Sequence, residues 1–350
     1  MNGIYFLVVN EYVGAEDSDD PKFREEIMVN GRLSRRKLLA GACMLAGTPG
    51  LVKHGFSRTI TRSGASSTEA QFSYCLNTAT IRGQKLGIVK EAEIASRAGY
   101  DAIEPWVDSI DQYAKGGGSL RDLKKRIQDL GLSVESAIAF PEYLADDDAV
   151  RAKGFEKAKG AMDLVAQIGG KRIAAPPAGA SDKPGLSLER AAERYRAMLE
   201  LGDQMGVVPQ LELWGFSQNL HRVSECAFVA IETGHPKACI LPDVFHLYKG
   251  GSNAGSLRLL SAGALQVFHM NDYPSDPPRE RINDTFRTYP GDGTAPLRQI
   301  VRSLIETGGS RVLSLELFGR KFWDQDALAV ARTGLEKMRR VVSAARTSSQ

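Results

Sequence analysis

Eight short apolar runs, separated by longer amphipathic segments, follow one another along this 350-residue chain from Phe72 onward. Most neighbouring runs lie about 30 to 40 residues apart, which is the spacing of repeated strand–helix units. Eight such units predict a single (β/α)8 TIM barrel of the α/β class, and a doubly wound open sheet is the alternative. The runs centre near Tyr74, Glu104, Glu135, Ala174, Leu211, Leu241, Phe268 and Leu315.

The segments between the runs have the apolar periodicity of helices. In the last segment, apolar residues recur at steps of three and four: Leu328, Ala331, Leu335, Met338 and Val342. The alternation continues without a break in composition from the first run to the last. The sequence therefore predicts one barrel over residues 70–346, preceded by an N-terminal extension over residues 1–65.

Charge is distributed unevenly along the chain. The 45 Lys and Arg residues barely exceed the 42 Asp and Glu residues, and the formal net charge is +3. Residues 1–27 are acidic, whereas seven basic residues and no acidic residue fall between Met28 and Arg62, so the remaining body is close to neutral. A neutral body lacks the basic surface that holds nucleic-acid phosphates, and we therefore expect no nucleic-acid partner.

The basic segment has the features of an export signal. Ser34-Arg35-Arg36-Lys37 precedes a short, moderately apolar run that ends at Leu51. This order resembles a twin-arginine (Tat) signal over residues 34–51, and the run is too short to span a bilayer. The resemblance implies recognition by the Tat export machinery and a periplasmic location. The alternative is a basic amphipathic helix on a protein that stays in the cytoplasm.

Polar residues close four of the predicted strands in the second half of the chain. Glu212 ends strand five, Asp243 and His246 follow strand six, His269 lies in strand seven, and Glu316 ends strand eight. In a TIM barrel the carboxyl ends of all strands meet at one mouth, where active sites lie. A carboxylate flanked by leucines on both sides is costly to bury without a cation. These residues therefore predict a charged site at the mouth.

Three carboxylates and one imidazole form an O3N set suited to one divalent cation. The predicted ligands are Glu212, Asp243, His269 and Glu316. This donor set favours Mn²⁺ first, and Co²⁺, Mg²⁺ and Zn²⁺ also fit. The alternative is that each residue caps a helix or forms a salt bridge. Trp106 and Trp214, at the ends of strands two and five, are predicted to wall the pocket, with core packing as the alternative.

Five motifs in this region carry a resemblance to a known family. They are Leu-Glu-Leu at 211–213, Leu-Pro-Asp-Val-Phe-His at 241–246, Phe-His-Met-Asn-Asp at 268–272, Arg-Thr-Tyr-Pro-Gly-Asp-Gly at 287–293 and Ser-Leu-Glu-Leu-Phe at 314–318. With these motifs the sequence resembles the xylose isomerase-like barrel superfamily, and within it the 2-keto-myo-inositol (inosose) isomerase branch. One departure is Leu247-Tyr248-Lys249, where that branch has a second histidine.

The resemblance implies roles for individual residues. It implies the same four metal ligands, and contacts from His246, Arg287 and Glu104 to a keto-polyol or sugar substrate. It also implies that the barrel forms a homodimer.

The predicted activity is a metal-dependent isomerisation or epimerisation that moves a carbonyl group through an enediolate. Glu212 and Glu316 are predicted to act as the acid/base pair in addition to binding the metal. One alternative is a hydro-lyase of the inosose or 3-dehydroshikimate dehydratase type, which begins with the same proton abstraction. The other is a non-catalytic exported sugar-binding barrel.

Overall fold

The computed structural model describes residues 71–347, which contain eight parallel β-strands surrounded by helices. Seven of the eight predicted run centres fall inside a strand, and Glu135 lies one residue beyond the third. The predicted extension and the Tat signal at 34–51 lie outside the described residues, so export stays a prediction. The strands are β1 (Gln71–Asn77), β2 (Ala102–Glu104), β3 (Ser133–Val134), β4 (Arg172–Ala175), β5 (Val208–Glu212), β6 (Ile240–Leu241), β7 (Val267–Met270) and β8 (Ser310–Leu315).

The strands close into a ring. One parallel sheet has the order β3-β2-β1-β8-β7 and another has the order β4-β5-β6. The Ala174 amide donates to the Ala137 carbonyl at 2.8 Å and joins β3 to β4, while Asp243 and His269 form a parallel bridge between β6 and β7. The predicted TIM barrel is therefore confirmed, and the open-sheet alternative is wrong.

Helices cover the outside of the ring. Four of the five residues of the predicted apolar stripe in the last helix are buried, and Leu328 is half-buried; the buried residues are Ala331, Leu335, Met338 and Val342. Between residues 71 and 347, no helix has both the length and the apolar character that a membrane crossing requires. The helices are α1 (Ile88–Ala98), α2 (Val107–Lys115), α3 (Leu120–Asp129), α4 (Asp148–Gln167), α5 (Leu188–Met205), α6 (Val223–Glu232), α7 (Val244–Lys249), α8 (Leu297–Glu306), α9 (Arg320–Trp323) and α10 (Ala327–Arg346).

Below its mouth the barrel interior is mostly apolar, although the buried Gln210 Nε2 donates to Ser136 Oγ at 3.1 Å. Ala102, Ala174, Leu241, Val267 and Val312 pack together inside the ring and are at most 6% exposed. These small and branched side chains fill the interior, as in other closed eight-stranded barrels. The polar residues that close the strands therefore lie above a buried interior.

A buried carboxylate in α1 predicts a pH-dependent stability. Glu91 is 3% exposed, and its Oε2 has no hydrogen-bond partner. Burial raises the pKa of Glu91 from 4.5 to about 7, against the opposing charge of Arg82. Because the folded pKa is raised, the contribution of Glu91 to stability is fully present below pH 4.5 and is lost as pH rises through about 7.

We expect the free energy of unfolding to fall by roughly 3 kcal/mol over that pH range on account of this carboxyl alone. Glu91→Gln should remove this component and stabilise the protein at pH 8, with a smaller effect near pH 4.5. Urea unfolding at several pH values measures it. Glu156→Gln, at an exposed position of α4, is the control for the substitution itself. A Glu91→Gln profile parallel to that of the wild type would contradict the prediction.

Candidate metal centre

Three of the four predicted ligands come together at the barrel mouth. Asp243, His269 and Glu316 each offer one ligand atom, and these atoms lie within 4.8 Å of one another. All three residues are buried. Asp243 also caps α7, because its Oδ1 accepts the backbone N–H of His246 at 2.8 Å. The second oxygen of Asp243 remains directed toward the cluster.

The fourth predicted ligand, Glu212, lies beside the cluster and is not part of it. Glu212 is the last residue of β5 and is 4% exposed, and its Oε2 is buried without a hydrogen-bond partner. Burial raises the pKa of Glu212 well above its usual range, even though the charge of His269 opposes this shift. An unpartnered carboxylate oxygen at this depth is costly, and a cation would remove that cost.

His269 is oriented by carboxylates on both sides of its ring. Its Nε2 lies 3.0 Å from Glu104 Oε2. Its Nδ1 lies 3.2 Å from Glu316 Oε2 but has no hydrogen-bond partner. Metal-binding histidines commonly present their other ring nitrogen to a carboxylate, which leaves one nitrogen for the metal. Nδ1 is therefore the nitrogen available to an ion.

Glu104 lies behind His269. The sequence predicted that Glu104 contacts substrate, whereas the structure places its fully buried carboxylate on His269, Asn77 and Ser314. Its Oε2 accepts from Ser314 Oγ at 2.6 Å and from Asn77 Nδ2 at 3.0 Å. In this position Glu104 orients the imidazole of His269, one of the predicted ligands.

The charged groups of the cluster shift one another's pKa values in opposite directions. Burial alone would lower the pKa of His269, but the charges of Glu104 and Glu316 raise it well above its usual value. Burial alone would raise the pKa of Glu316, but His269 and Arg287 bring it down to about 2. The oxygen-rich donor set and the unpartnered Glu212 Oε2 and His269 Nδ1 fit a divalent cation.

Arg287 reaches the same cluster from the long loop after β7. Its side chain is 1% exposed, and its Nη1 donates to Asp243 Oδ2 at 2.9 Å and to Glu316 Oε2 at 2.7 Å. Its Nε and Nη2 donate to Asp284 Oδ1, at 2.9 and 2.6 Å. Nη2 also lies 3.1 Å from His246 Nε2. The guanidinium thus connects two predicted ligands with His246, and burial lowers the pKa of this histidine.

Asp272 holds the loop that carries Arg287. Its backbone pairs with Thr288 in an antiparallel bridge. Its carboxylate accepts the backbone N–H groups of Gly291 and Gly293, at 3.0 and 3.1 Å. A Cβ atom at Gly293 would lie 2.2 Å from the Tyr273 carbonyl oxygen, so the turn requires glycine there. This closed turn fixes the base of the loop close to Arg287.

Aromatic side chains line one side of the mouth. Trp106 and Trp214, both predicted as walls, flank Phe140, with ring centroids 5.2 and 5.8 Å from its centroid. Phe216 continues the row beyond Trp214 at 5.2 Å, and Phe318 lies 6.4 Å from Trp106. Both tryptophans are less than 10% exposed. This wall borders the site, since Trp106 Nε1 donates to Asn77 Oδ1 at 3.3 Å and the Phe216 ring lies 5.7 Å from that of His246.

Sequence reasoning missed three polar residues of the site. Asn77 and Asn271 are fully buried and donate to the carboxylates of Glu316 and Asp243, while Asp284 binds Arg287. The signal for the two asparagines was present, because each closes an apolar strand in the way that Glu212 closes β5. For Asp284 the sequence offers no such signal, since its role depends on the path of the loop.

The comparison with family models decides the family. The model of the xylose isomerase-like TIM barrel family matches residues 92–341. The chain belongs to this family. The resemblance based on the five motifs is therefore confirmed at the level of the superfamily.

Among the relatives of this xylose isomerase-like barrel are isomerases and epimerases. An inosose isomerase of Halalkalibacterium halodurans is 27% identical over 273 residues, covering 77% of this chain and 96% of the relative. A fructoselysine 3-epimerase of Escherichia coli O157:H7 is 24% identical over 268 residues, covering 73% of this chain and 94% of the relative. Similarity at this level supports a sugar isomerase or epimerase type of enzyme. The predicted homodimer stays a prediction.

Solved structures show the same fold. The crystal structure of the IOLI protein with a bound zinc atom superposes with a TM-score of 0.72 at 23% identity. The match covers 78% of this chain and 98% of that protein. The barrel matches over almost the whole length of that structure.

Proposed function

We propose that this xylose isomerase-like barrel is a metal-dependent isomerase or epimerase that moves a carbonyl group along a keto-polyol or sugar. The observation that carries this proposal is the buried cluster of Asp243, His269 and Glu316 at the barrel mouth. The inosose isomerase relative makes 2-keto-myo-inositol the first substrate to test. Mn²⁺ is the first metal to test because the donor set is rich in carboxylate oxygens, and the zinc in the IOLI structure makes Zn²⁺ the second.

Four residues would hold the ion: Asp243, His269 through Nδ1, Glu316, and Glu212 from beside the cluster. When bound, a divalent cation acts as a Lewis acid on the carbonyl and hydroxyl oxygens of a substrate. Glu104 keeps His269 oriented from behind, and Asn271 holds Asp243 through a 2.7 Å hydrogen bond to Oδ2. These contacts leave the ligand carboxylates little freedom to rotate.

Proton transfer is assigned to Glu212 and Glu316. A carbonyl group acidifies the C–H bond of the adjacent carbon, and a carboxylate positioned beside that carbon removes the proton. Glu212 ends β5 and Glu316 follows β8, three strands apart in the ring, so the two carboxyl groups approach a substrate from different sides. One carboxylate removes the proton, and the other returns a proton to the adjacent carbon or to the opposite face.

The remaining residues bind substrate and exclude water. In this structure the Nη1 donors of Arg287 bind Asp243 and Glu316, and they would become available to hydroxyl oxygens of a substrate where these carboxylates hold the ion. His246 adds a neutral ring beside them. Electrostatic stabilisation of a developing oxyanion is usually a large catalytic term, and it is larger where water is excluded. The wall formed by Trp106, Phe140 and Trp214 provides that exclusion.

A proton NMR experiment in D₂O tests the proposal. The full chain, loaded with Mn²⁺, is incubated with 2-keto-myo-inositol, several ketohexoses or 3-dehydroshikimate. We expect an isomer or epimer to form, with deuterium entering next to the carbonyl. Loss of a hydroxyl group to give an enone would establish the hydro-lyase alternative. Binding of these compounds without turnover would favour a sugar-binding barrel, and Asp243→Asn is the ligand-deficient control.

A further inference from the structure

Asn77 holds two carboxylates of the site with a single amide group. Its Nδ2 donates to Glu104 Oε2 and to Glu316 Oε1, each at 3.0 Å. Asn77 is fully buried at the carboxyl end of β1. This strand lies between β2, which carries Glu104, and β8, which Glu316 follows. The amide therefore bridges strands that flank it on both sides.

The orientation of this amide is determined by its other contacts. Asn77 Oδ1 accepts the backbone N–H of Ala79 at 2.9 Å and the indole Nε1–H of Trp106 at 3.3 Å. Two donors face the oxygen and two acceptors face the nitrogen, so a rotated amide would lose its hydrogen bonds. Asn77 also lies opposite Glu104 in the parallel register. Its position and its orientation are thus both fixed.

The contacts close into a ring of four side chains from four neighbouring strands. From Asn77 the ring passes through Glu104 Oε2 to His269 Nε2, at 3.0 Å. Across the imidazole, His269 Nδ1 lies 3.2 Å from Glu316 Oε2. Glu316 Oε1 completes the ring at Asn77 Nδ2. Of the two atoms that face each other, Nδ1 has no hydrogen-bond partner and Oε2 accepts from Arg287 Nη1 at 2.7 Å. These two atoms are the ones that an ion would take.

We propose that Asn77 is a positioning residue that sets the separation of His269 Nδ1 and Glu316 Oε2 for metal binding. This inference rests on the proposed function, because it concerns the same site. Asn77 contacts neither ligand atom itself. It acts on Glu316 through the opposite oxygen and on His269 through Glu104, the kind of outer contact whose loss commonly weakens metal binding about 10- to 100-fold.

The substitution Asn77→Asp tests this with almost no change in volume. It replaces the donating nitrogen with an oxygen that would lie about 3.0 Å from two carboxylate oxygens. The repulsion would rotate Glu104 and Glu316 away and separate the two ligand atoms. Asn77→Ser removes the amide donor without adding a charge, so its effect should be smaller than that of Asn77→Asp. Asn253→Asp, at an exposed cap before a short 3₁₀-helix, is the matched control.

The measurement is the dissociation constant for Mn²⁺, obtained by titration calorimetry on the full chain, together with the melting temperature, kcat and KM. We expect Asn77→Asp to bind Mn²⁺ about 10- to 100-fold more weakly, with kcat falling more than KM rises. Asn253→Asp should match the wild type. A folded Asn77→Asp with wild-type Mn²⁺ affinity would overturn the inference, as would a lower melting temperature with unchanged affinity. If Asn77→Asp does not fold, Asn77→Ser decides by the same criterion.

The two proposals fail in different ways. Wild-type turnover together with unchanged Mn²⁺ affinity in the variants would overturn the role of Asn77 alone. A wild type that turns over none of the test compounds, but whose Mn²⁺ affinity depends on Asn77, would overturn the proposed function alone.

Discussion

Replacing Glu212 or Glu316 with glutamine is expected to lower kcat by about 10²- to 10⁴-fold, the usual range for general acid–base groups. Glutamine keeps the size of the side chain and an oxygen that can face a cation, but it neither accepts nor returns a proton. The wild-type residues are both buried at the ends of their strands, so no neighbouring water readily replaces them. We therefore expect loss of turnover that exceeds any loss of metal affinity.

The measurement is kcat at saturating Mn²⁺, paired with calorimetric titration of the metal. Deuterium incorporation from D₂O should disappear in both variants if each carboxyl transfers a proton. Glu232→Gln, at the exposed end of α6, is the control for the substitution itself. Full turnover in both Glu212→Gln and Glu316→Gln, with metal still bound, would show that these residues are not the acid/base pair.

Replacing Arg287 with methionine is expected to destabilise the fold by about 3–5 kcal/mol, because it leaves buried carboxylates without their partner. The guanidinium donates to Asp243, Asp284 and Glu316, and it is 1% exposed. Methionine has a similar length but no donor. For a domain of this size the loss corresponds to a melting temperature lower by about 6–20 °C.

Differential scanning calorimetry measures this change. Added Mn²⁺ should recover part of the lost stability in Arg287→Met, because it supplies a cation to the same carboxylates. Arg121→Met, on the exposed face of α3, is the control and should melt with the wild type. A melting temperature of Arg287→Met within about 2 °C of the wild type, which is below about 1 kcal/mol for this size, would contradict the assigned ion-pair network.

Much of the site could be predicted from one rule: polar residues that end the apolar strands of a TIM barrel meet at its mouth. That rule located Asp243, His269 and Glu316, and in the structure one ligand atom of each lies within 4.8 Å of the others. The same rule, applied to β1 and β7, would also have found Asn77 and Asn271. Glu104 was placed at the correct strand end, but its contact with His269 could not be predicted, because a strand end does not specify which neighbour a side chain meets.

The sequence by itself determined the barrel and the side of it on which the site lies. Both follow from local periodicity, since alternating apolar runs and amphipathic segments specify strands and helices within a few residues. Only the tertiary structure decided which side chains meet. Asn77 and Glu316 are 239 positions apart, and they touch because closure of the ring places β1 beside β8. Such a contact depends on the register of strands that are distant in sequence, which no local pattern encodes.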